Sequence, residues 1–348
     1  MDYRIHPNGQ GLVAITATVD DTVFVDRLAT VRGNAVVTGR SRIEHMAIVG
    51  GNAKVSDNAC ISGFAEILDD AEVSGSAFVY GNAKITENSI VYGCAEVSDN
   101  VVVSGKAKIL GWAVVSGNAR ITDNAEVLGD AHVFDNAFIF ENAWIFGNAS
   151  VFNTAKVGGD CEIYGQATVC GNATVQGRAY VMGRAVVLQD ARVDGLAVIR
   201  DEAIVCGNAL VHEGADIFGS AIVAGSSEVH GYACISGESK IGGNSRIFGE
   251  ARVFDNASVH ESCEIFGRAE VYGSAVIRGH AMVYGLSFVG EYAEVYERAR
   301  VFEDAWIYGH AKVYGSASVS GSAEVYGNAD LVASASGKEH FYKRRPDK

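Results

Sequence analysis

The sequence predicts an all-β chain wound as one continuous parallel β-helix of triangular cross-section. Three observations predict it: an aliphatic residue recurs every six positions, a small residue stands two positions before each aliphatic, and Gly, Asp and Asn recur between them. Counting in sixes from Val13, every sixth residue through Val325 is Val or Ile, and Leu331 closes the series. Residues 13–336 therefore hold 54 consecutive hexads.

With the aliphatic residue at position 0, the small one falls at −2. It is usually Ala (Ala35, Ala53, Ala119, Ala209), with Ser89, Ser227, Cys161 and Cys263 as variants. On a strand of period two both positions point inward, and −1 and +1 point outward. Positions +2 and +3 carry pairs such as Gly117-Asn118, Asp123-Asn124 and Gly147-Asn148, residue types that tolerate positive φ and suit a tight corner. Successive hexads are equivalent, so they cannot alternate as hairpins. A coil with three sides fits, and three hexads make an 18-residue turn of the hexapeptide type, giving about 18 coils. Val or Ile fills the middle of each side, Ala fits near the corner, and each buried aliphatic contributes about 1.5–3 kcal/mol.

Composition agrees with an uninterrupted ladder. There are 41 glycines but only two prolines, Pro7 and Pro346, and both lie outside the repeat, as expected where every backbone amide is needed. The expected organisation is an N-terminal tail at 1–12, one continuous β-helix at 13–336 and a basic C-terminal tail at 337–348. Bulky Val23 in a small-residue slot and Ile15 at a corner mark the first coil as a cap.

A net charge of −14 argues against nucleic acid and anionic membrane surfaces as partners, because phosphate binding needs a basic face. The one basic cluster is the C-terminal tail, where Lys338, Lys343, Arg344, Arg345 and Lys348 outnumber Glu339 and Asp347. The N-terminal residues lack a signal-peptide pattern and no window approaches about 20 apolar residues, so a cytoplasmic protein is expected. Seven cysteines is an odd count, and no two are separated by the single full coil that would stack them on adjacent turns, which leaves a disulfide framework unsupported.

The run VSGNARITDNAEVLGDAHVFDNAFIFENAWIFGNASVF at 115–152 resembles the hexapeptide-repeat (LpxA-like, LbH) superfamily, and its GNA-x-V-x-G style is similar to the YdcK-like proteins. The similarity covers residues 13–331. The resemblance implies left-handed coiling; right-handed bactofilin-type helices are the alternative. It also implies kinship with acyltransferases that use acetyl-CoA or acyl carrier protein, and with a smaller group of carbonic anhydrases that hold a metal through histidines. Such enzymes extrude a loop from the coil and build their cleft between subunits of a trimer. No hexad here is expanded, so no catalytic residue is assigned.

Residues 18 apart stack on one face, and function is sought in these outward files. Asp194, His212 and His230 are successive members of one file with Glu228 beside them, a candidate metal or acid-base cluster. Apolar files form candidate partner or oligomer faces: Leu110, Leu128, Phe146, Tyr164 and Met182, with Trp144 and Tyr180 adjoining, and Phe134, Phe152, Cys170, Leu188, Cys206 and Ala224, flanked by Val186, Ile204 and Ile222. Exposed stripes of this kind mark partner surfaces, although stacked side chains also stabilise a sheet from within. Phe248, Phe266, Tyr284 and Phe302 form an aromatic file on the third face, a candidate surface for carbohydrate or protein. Lys54 with Glu72, Lys108 with Glu126, and Glu228, Arg246 and Glu264 alternate in sign, which supports the register. The hydroxyl file Thr86, Ser104 and Thr122 is too short for an ice-binding array, and no phosphate-cradling loop or C-x-x-C pair occurs.

The expected function is non-catalytic: a structural or surface-binding repeat protein that forms a homo-oligomer or holds a protein or carbohydrate partner, without a cofactor. The alternative is a YdcK-like acyltransferase with acetyl-CoA bound between subunits.

Overall fold

The computed structural model describes residues 2–343, and these contain strands and corners with no helix. They divide into two compact units, one ending at Gly177 and the other starting at Arg178. Each unit is a β-solenoid of three parallel sheets, one per side of a triangular coil.

In the first unit Thr18–Val19, Phe24–Val25 and Thr30–Val31 lie one in each of the three sheets. Each pairs in parallel with the strand one full coil later: Val36–Val37, Arg42–Ile43 and Ile48–Val49. The second unit repeats the pattern, with Tyr180–Val181, Val186–Val187 and Arg192–Val193 pairing with strands at 198, 204 and 210. The coil of three hexads follows from chemistry at every step. Lys54 and Ser56, at the two outward positions, donate their N–H groups to the carbonyls of Ala71 and Val73 at 2.9 and 3.0 Å, so the ladder advances one coil per hydrogen bond.

The alternation of faces runs along the repeat, broken only where small outward residues such as Ser62 and Ser98 are buried by their neighbours. Ala35 and Val37, like Ala209 and Val211, are fully buried, whereas the residues beside them on the strands are partly exposed. Where Ser replaces Ala inside, its hydroxyl must find an acceptor. Ser89 donates to the Thr86 carbonyl at 2.6 Å and Ser245 to that of Gly242 at 2.8 Å. Ser239 Oγ is buried with no partner.

The corners carry positive φ. Gly51 has φ +69°, and a Cβ there would meet the Asp69 backbone nitrogen at 2.6 Å, so glycine suits this corner on both counts. Other corners hold acids at the same φ, such as Asp57 at 64° and Glu87 at 58°, and these side chains have a task described below.

Both ends depart from the repeat. Tyr3–Ile5 pairs antiparallel with Leu12–Ala14 and closes the first coil, while His6 lies fully buried, its ring within 3.1 and 3.2 Å of the Asn8 and Asp20 carbonyls. Val23 is fully buried and Ile15 exposed. At the other end His340–Lys343 pairs in parallel with Glu324–Gly327, residue 340 opposite 324. The offset is 16 because the chain after Leu331 takes a shorter path. The remainder of the basic tail, including Arg344, Arg345 and Lys348, lies outside the described residues. No helix among the described residues is long and apolar enough to cross a membrane.

Candidate functional site

The third face of the second unit carries the polar cluster and the aromatic file as one structure. Strands at Leu210, Glu228, Arg246, Glu264, Met282 and Arg300 lie in register, and the residue after each aliphatic projects outward from them. His212 stacks on His230 at 4.9 Å with 7° between planes, and His230 on Phe248 at 5.1 Å. Phe248, Phe266, Tyr284 and Phe302 continue at 4.9, 4.7 and 5.0 Å. Six rings form a single stack.

In this arrangement Asp194, His212 and His230 each meet a partner within the chain. A ring nitrogen binds a metal in its own plane, and the two near-parallel planes lie one coil apart. His212 Nε2 meets Glu228 Oε1 at 3.2 Å, His230 Nδ1 lies 3.6 Å from Glu213 Oε2, and Asp194 Oδ1 accepts the Gly195 N–H at 2.6 Å. Among the described residues no group of three or more His, Cys, Asp or Glu side chains is placed to hold an ion. Glu228 is central to this polar end. Burial pushes its carboxyl up, but hydrogen bonds from His212 and Arg246 and the Arg246 charge outweigh it and hold it below the usual carboxylate range.

The same stacking limits what the aromatic file offers a carbohydrate. A sugar packs on the face of an aromatic ring, and between His212 and Phe302 each interior face already meets a neighbouring ring. Only ring edges point outward along the stack.

The apolar files are outward but half-buried by their own neighbours. In the first unit Phe146 stacks on Tyr164 at 4.8 Å and Phe134 on Phe152 at 4.7 Å, and Leu110 and Leu128 are likewise half-buried. Met182, Leu188, Ile204 and Ile222 of the second unit are half-buried too. Trp144 stands out at 44% exposure. Charged files behave as their alternating signs require, with Lys54–Glu72 at 2.6 Å, Lys108–Glu126 at 2.7 Å and Arg246 between Glu228 and Glu264 at 3.0 and 3.7 Å.

Within the repeat the most exposed apolar groups lie at corners, which reading of the strand files passes over. Leu28, Met46 and Phe64 occupy successive turns of one corner of the first unit and are 61%, 47% and 60% exposed. Trp112 in the first unit, and Tyr232 and Tyr292 in the second, are also corner residues and strongly exposed. The signal was available: these apolar residues stand at +3, where Asn, Asp or Ser is the rule.

Corners also organise the acids. Asp57, Asp69 and Asp99 in the first unit accept the backbone N–H of Gly75, Glu87 and Gly117 at 2.9, 3.1 and 2.9 Å. Asp201, Glu213 and Glu291 in the second do the same for Gly219, Gly231 and Gly309 at 3.1, 2.8 and 2.9 Å. One position later, Asn82, Asn100, Asn118 and Asn136 pass a side-chain amide hydrogen bond from coil to coil at 2.9–3.1 Å. Much of the negative charge is therefore built into corner hydrogen bonding.

Two clefts lie on the first face of the second unit. One, of about 670 Å³, runs between the corner residues Tyr232, Arg268 and Leu286 and the strand residues Arg252, Glu270 and Phe288. The other, of about 280 Å³, is lined by Phe218, Cys234, Ser236, Arg252, Phe254 and Asp255.

The fold and its surface files define a β-solenoid repeat protein. No model of a known protein family matches the chain, and no curated protein matches its sequence.

Proposed function

We propose that the chain is a non-catalytic scaffolding and surface-binding solenoid that self-associates through its outward apolar groups. The observation that carries this reading is the coil-to-coil engagement of the outward side chains. Rings meet rings, acids meet amides and cations meet acids at a separation of 16 or 18 positions. Such files stiffen a surface and present it in register. The exposed corner file Leu28, Met46 and Phe64 supplies an apolar strip of the kind that favours association.

The test is sedimentation of the purified chain beside calorimetric titration with acetyl-CoA. The expected result is an oligomer that Met46→Lys dissociates, with no heat from acetyl-CoA. A monomeric wild type overturns the self-association, and saturable acetyl-CoA binding competed by CoA replaces the scaffold with the YdcK-like acyltransferase.

A further inference from the structure

Small residues follow or separate rings at several places in the outward aromatic files, and three of them, Gly158, Ser236 and Gly290, are not equivalent. At Gly158 in the first unit, the ring of Phe140 leans into the space of the missing side chain; a Cβ on Gly158 would meet Phe140 Cζ at 2.3 Å. At Gly290 in the second unit, Tyr272 does the same, with its Cζ 2.1 Å from where that Cβ would be. Both gaps are closed by the preceding ring. At Ser236 the small residue keeps its Cβ and hydroxyl. The space between Phe218 and Phe254 stays open as the cleft of about 280 Å³.

The dimensions of that gap are set by the ladder. Strands at Asp216, Cys234 and Arg252 pair in parallel, residue opposite residue, so Phe218 and Phe254 stand two coils apart, about 9.6 Å. Filled rungs in the +1 outward files of this unit lie 4.7–5.6 Å apart. One flat ring placed midway meets an aromatic face on either side at the spacing the chain itself uses. The outer faces of the two walls are already occupied: the Arg200 guanidinium lies 3.9 Å from the Phe218 centroid, and Tyr272 stacks on Phe254 at 5.6 Å. The walls are thus braced from behind.

Charge beside the gap favours an anionic substituent. Arg252 lines the cleft and reaches Glu270 only at 3.4 Å, with its side chain 59% exposed. The neighbouring cation, Arg200, is by contrast held by Asp216 through two nitrogens at 2.9 and 3.1 Å. Among the acids near the cleft, Asp216 is neutralised by that pair, and Asp255 directs Oδ2 to the Gly273 amide at 3.0 Å. Cys234 stands between them as a half-buried thiol, pushed up by its burial and therefore uncharged at neutral pH.

We propose that the Phe218–Ser236–Phe254 cleft is a binding site for a small planar aromatic carboxylate, whose ring supplies the missing rung and whose acid group meets Arg252. The site does not depend on self-association. Calorimetry and saturation-transfer NMR with benzoate test it, with cyclohexanecarboxylate as the puckered counterpart of equal charge. Benzoate is expected to bind saturably and at least tenfold more tightly than cyclohexanecarboxylate. Ser236→Phe, which completes the file from within, is expected to abolish benzoate binding while raising Tm. Phe254→Leu removes one wall and is expected to weaken benzoate severalfold without unfolding an outward-facing position. Arg252→Gln is expected to weaken benzoate and leave benzamide unchanged. Absence of saturable benzoate binding, or binding that persists in Ser236→Phe, overturns the proposal. If benzoate fails to bind while Ser236→Phe dissociates an oligomer, the cleft belongs to an aromatic side chain of a second copy, and the small-molecule assignment is overturned.

Discussion

The carboxylate of Asp57 accepts the backbone N–H of Gly75, one coil later, at 2.9 Å. A residue with positive φ other than glycine is normally disfavoured, and the hydrogen bond supplies a compensating reason for it. The acid satisfies a corner amide that the strand ladder does not reach.

Asp57→Ala keeps the unfavourable φ of 64° and loses the acceptor. It should destabilise the first unit by about 1–3 kcal/mol, and hydrogen exchange at the Gly75 amide should accelerate correspondingly. Asp57→Asn retains an acceptor and should cost less than Asp57→Ala. Equal exchange rates at Gly75 in all three proteins would contradict the assignment.

Interior rungs of the aromatic stack should matter more than terminal ones. Phe266 meets Phe248 at 4.9 Å and Tyr284 at 4.7 Å, while Phe302 closes the stack against Tyr284 alone at 5.0 Å. With each aromatic pair contributing about 0.5–1.5 kcal/mol beyond area, Phe266→Ala should cost about twice the stacking energy of Phe302→Ala in denaturant titrations of the second unit.

Two ionisations contribute to opposite limbs of the stability–pH profile. Hydrogen bonding from Lys312, aided by the charges of Lys312 and Arg278, holds Glu294 below its ordinary 4.5 against the opposing effect of burial. Its contribution is therefore present above pH 4.5 and lost as pH falls through the lower folded value. Burial first, then the hydrogen bond to Glu324, pushes Tyr308 from 10.0 up to about 12. Its contribution is present below pH 10 and lost as pH rises toward 12. Glu294→Gln should flatten the acid limb and Tyr308→Phe the alkaline limb, each read from Tm across pH.

The orphan hydroxyl of Ser239 gives a stabilising prediction. Its Oγ is buried without a partner, whereas Ser245 Oγ bonds the Gly242 carbonyl at 2.8 Å. Ser239→Ala should raise stability by about 1–3 kcal/mol, because an unsatisfied buried polar atom is removed. Ser245→Ala should stabilise less, or not at all, in the same denaturation assay.

The fold was legible because one constraint repeats. Val13 to Leu331 in steps of six, with Ala at −2, fits a three-sided coil best, and the buried set follows the count. Files of rings and charges were equally legible from the separation of one coil. Hidden from the sequence was orientation within a file. His212 and His230 are neighbours in one file by the count alone, but that their ring planes lie parallel and continue into Phe248 is visible only in the structure. Corner functions were hidden for a related reason: Asp57 reads as a turn former until its carboxylate is seen to run along the coil axis. The strand at His340–Lys343 escaped because its offset from Glu324–Gly327 shortens to 16 after Leu331, which breaks the count that reveals every other strand.

The pairing of each strand with its counterpart one coil on makes the full coil, and not the hexad, the interchangeable part of this molecule. Excising one whole coil rejoins every file to its own continuation. Excising a single hexad between His230 and Phe248 would set His230 beneath Phe254 and turn every later side chain onto the neighbouring face. Length can thus drift in whole coils while surface identity is preserved, and a single lost hexad rewrites the entire surface beyond it.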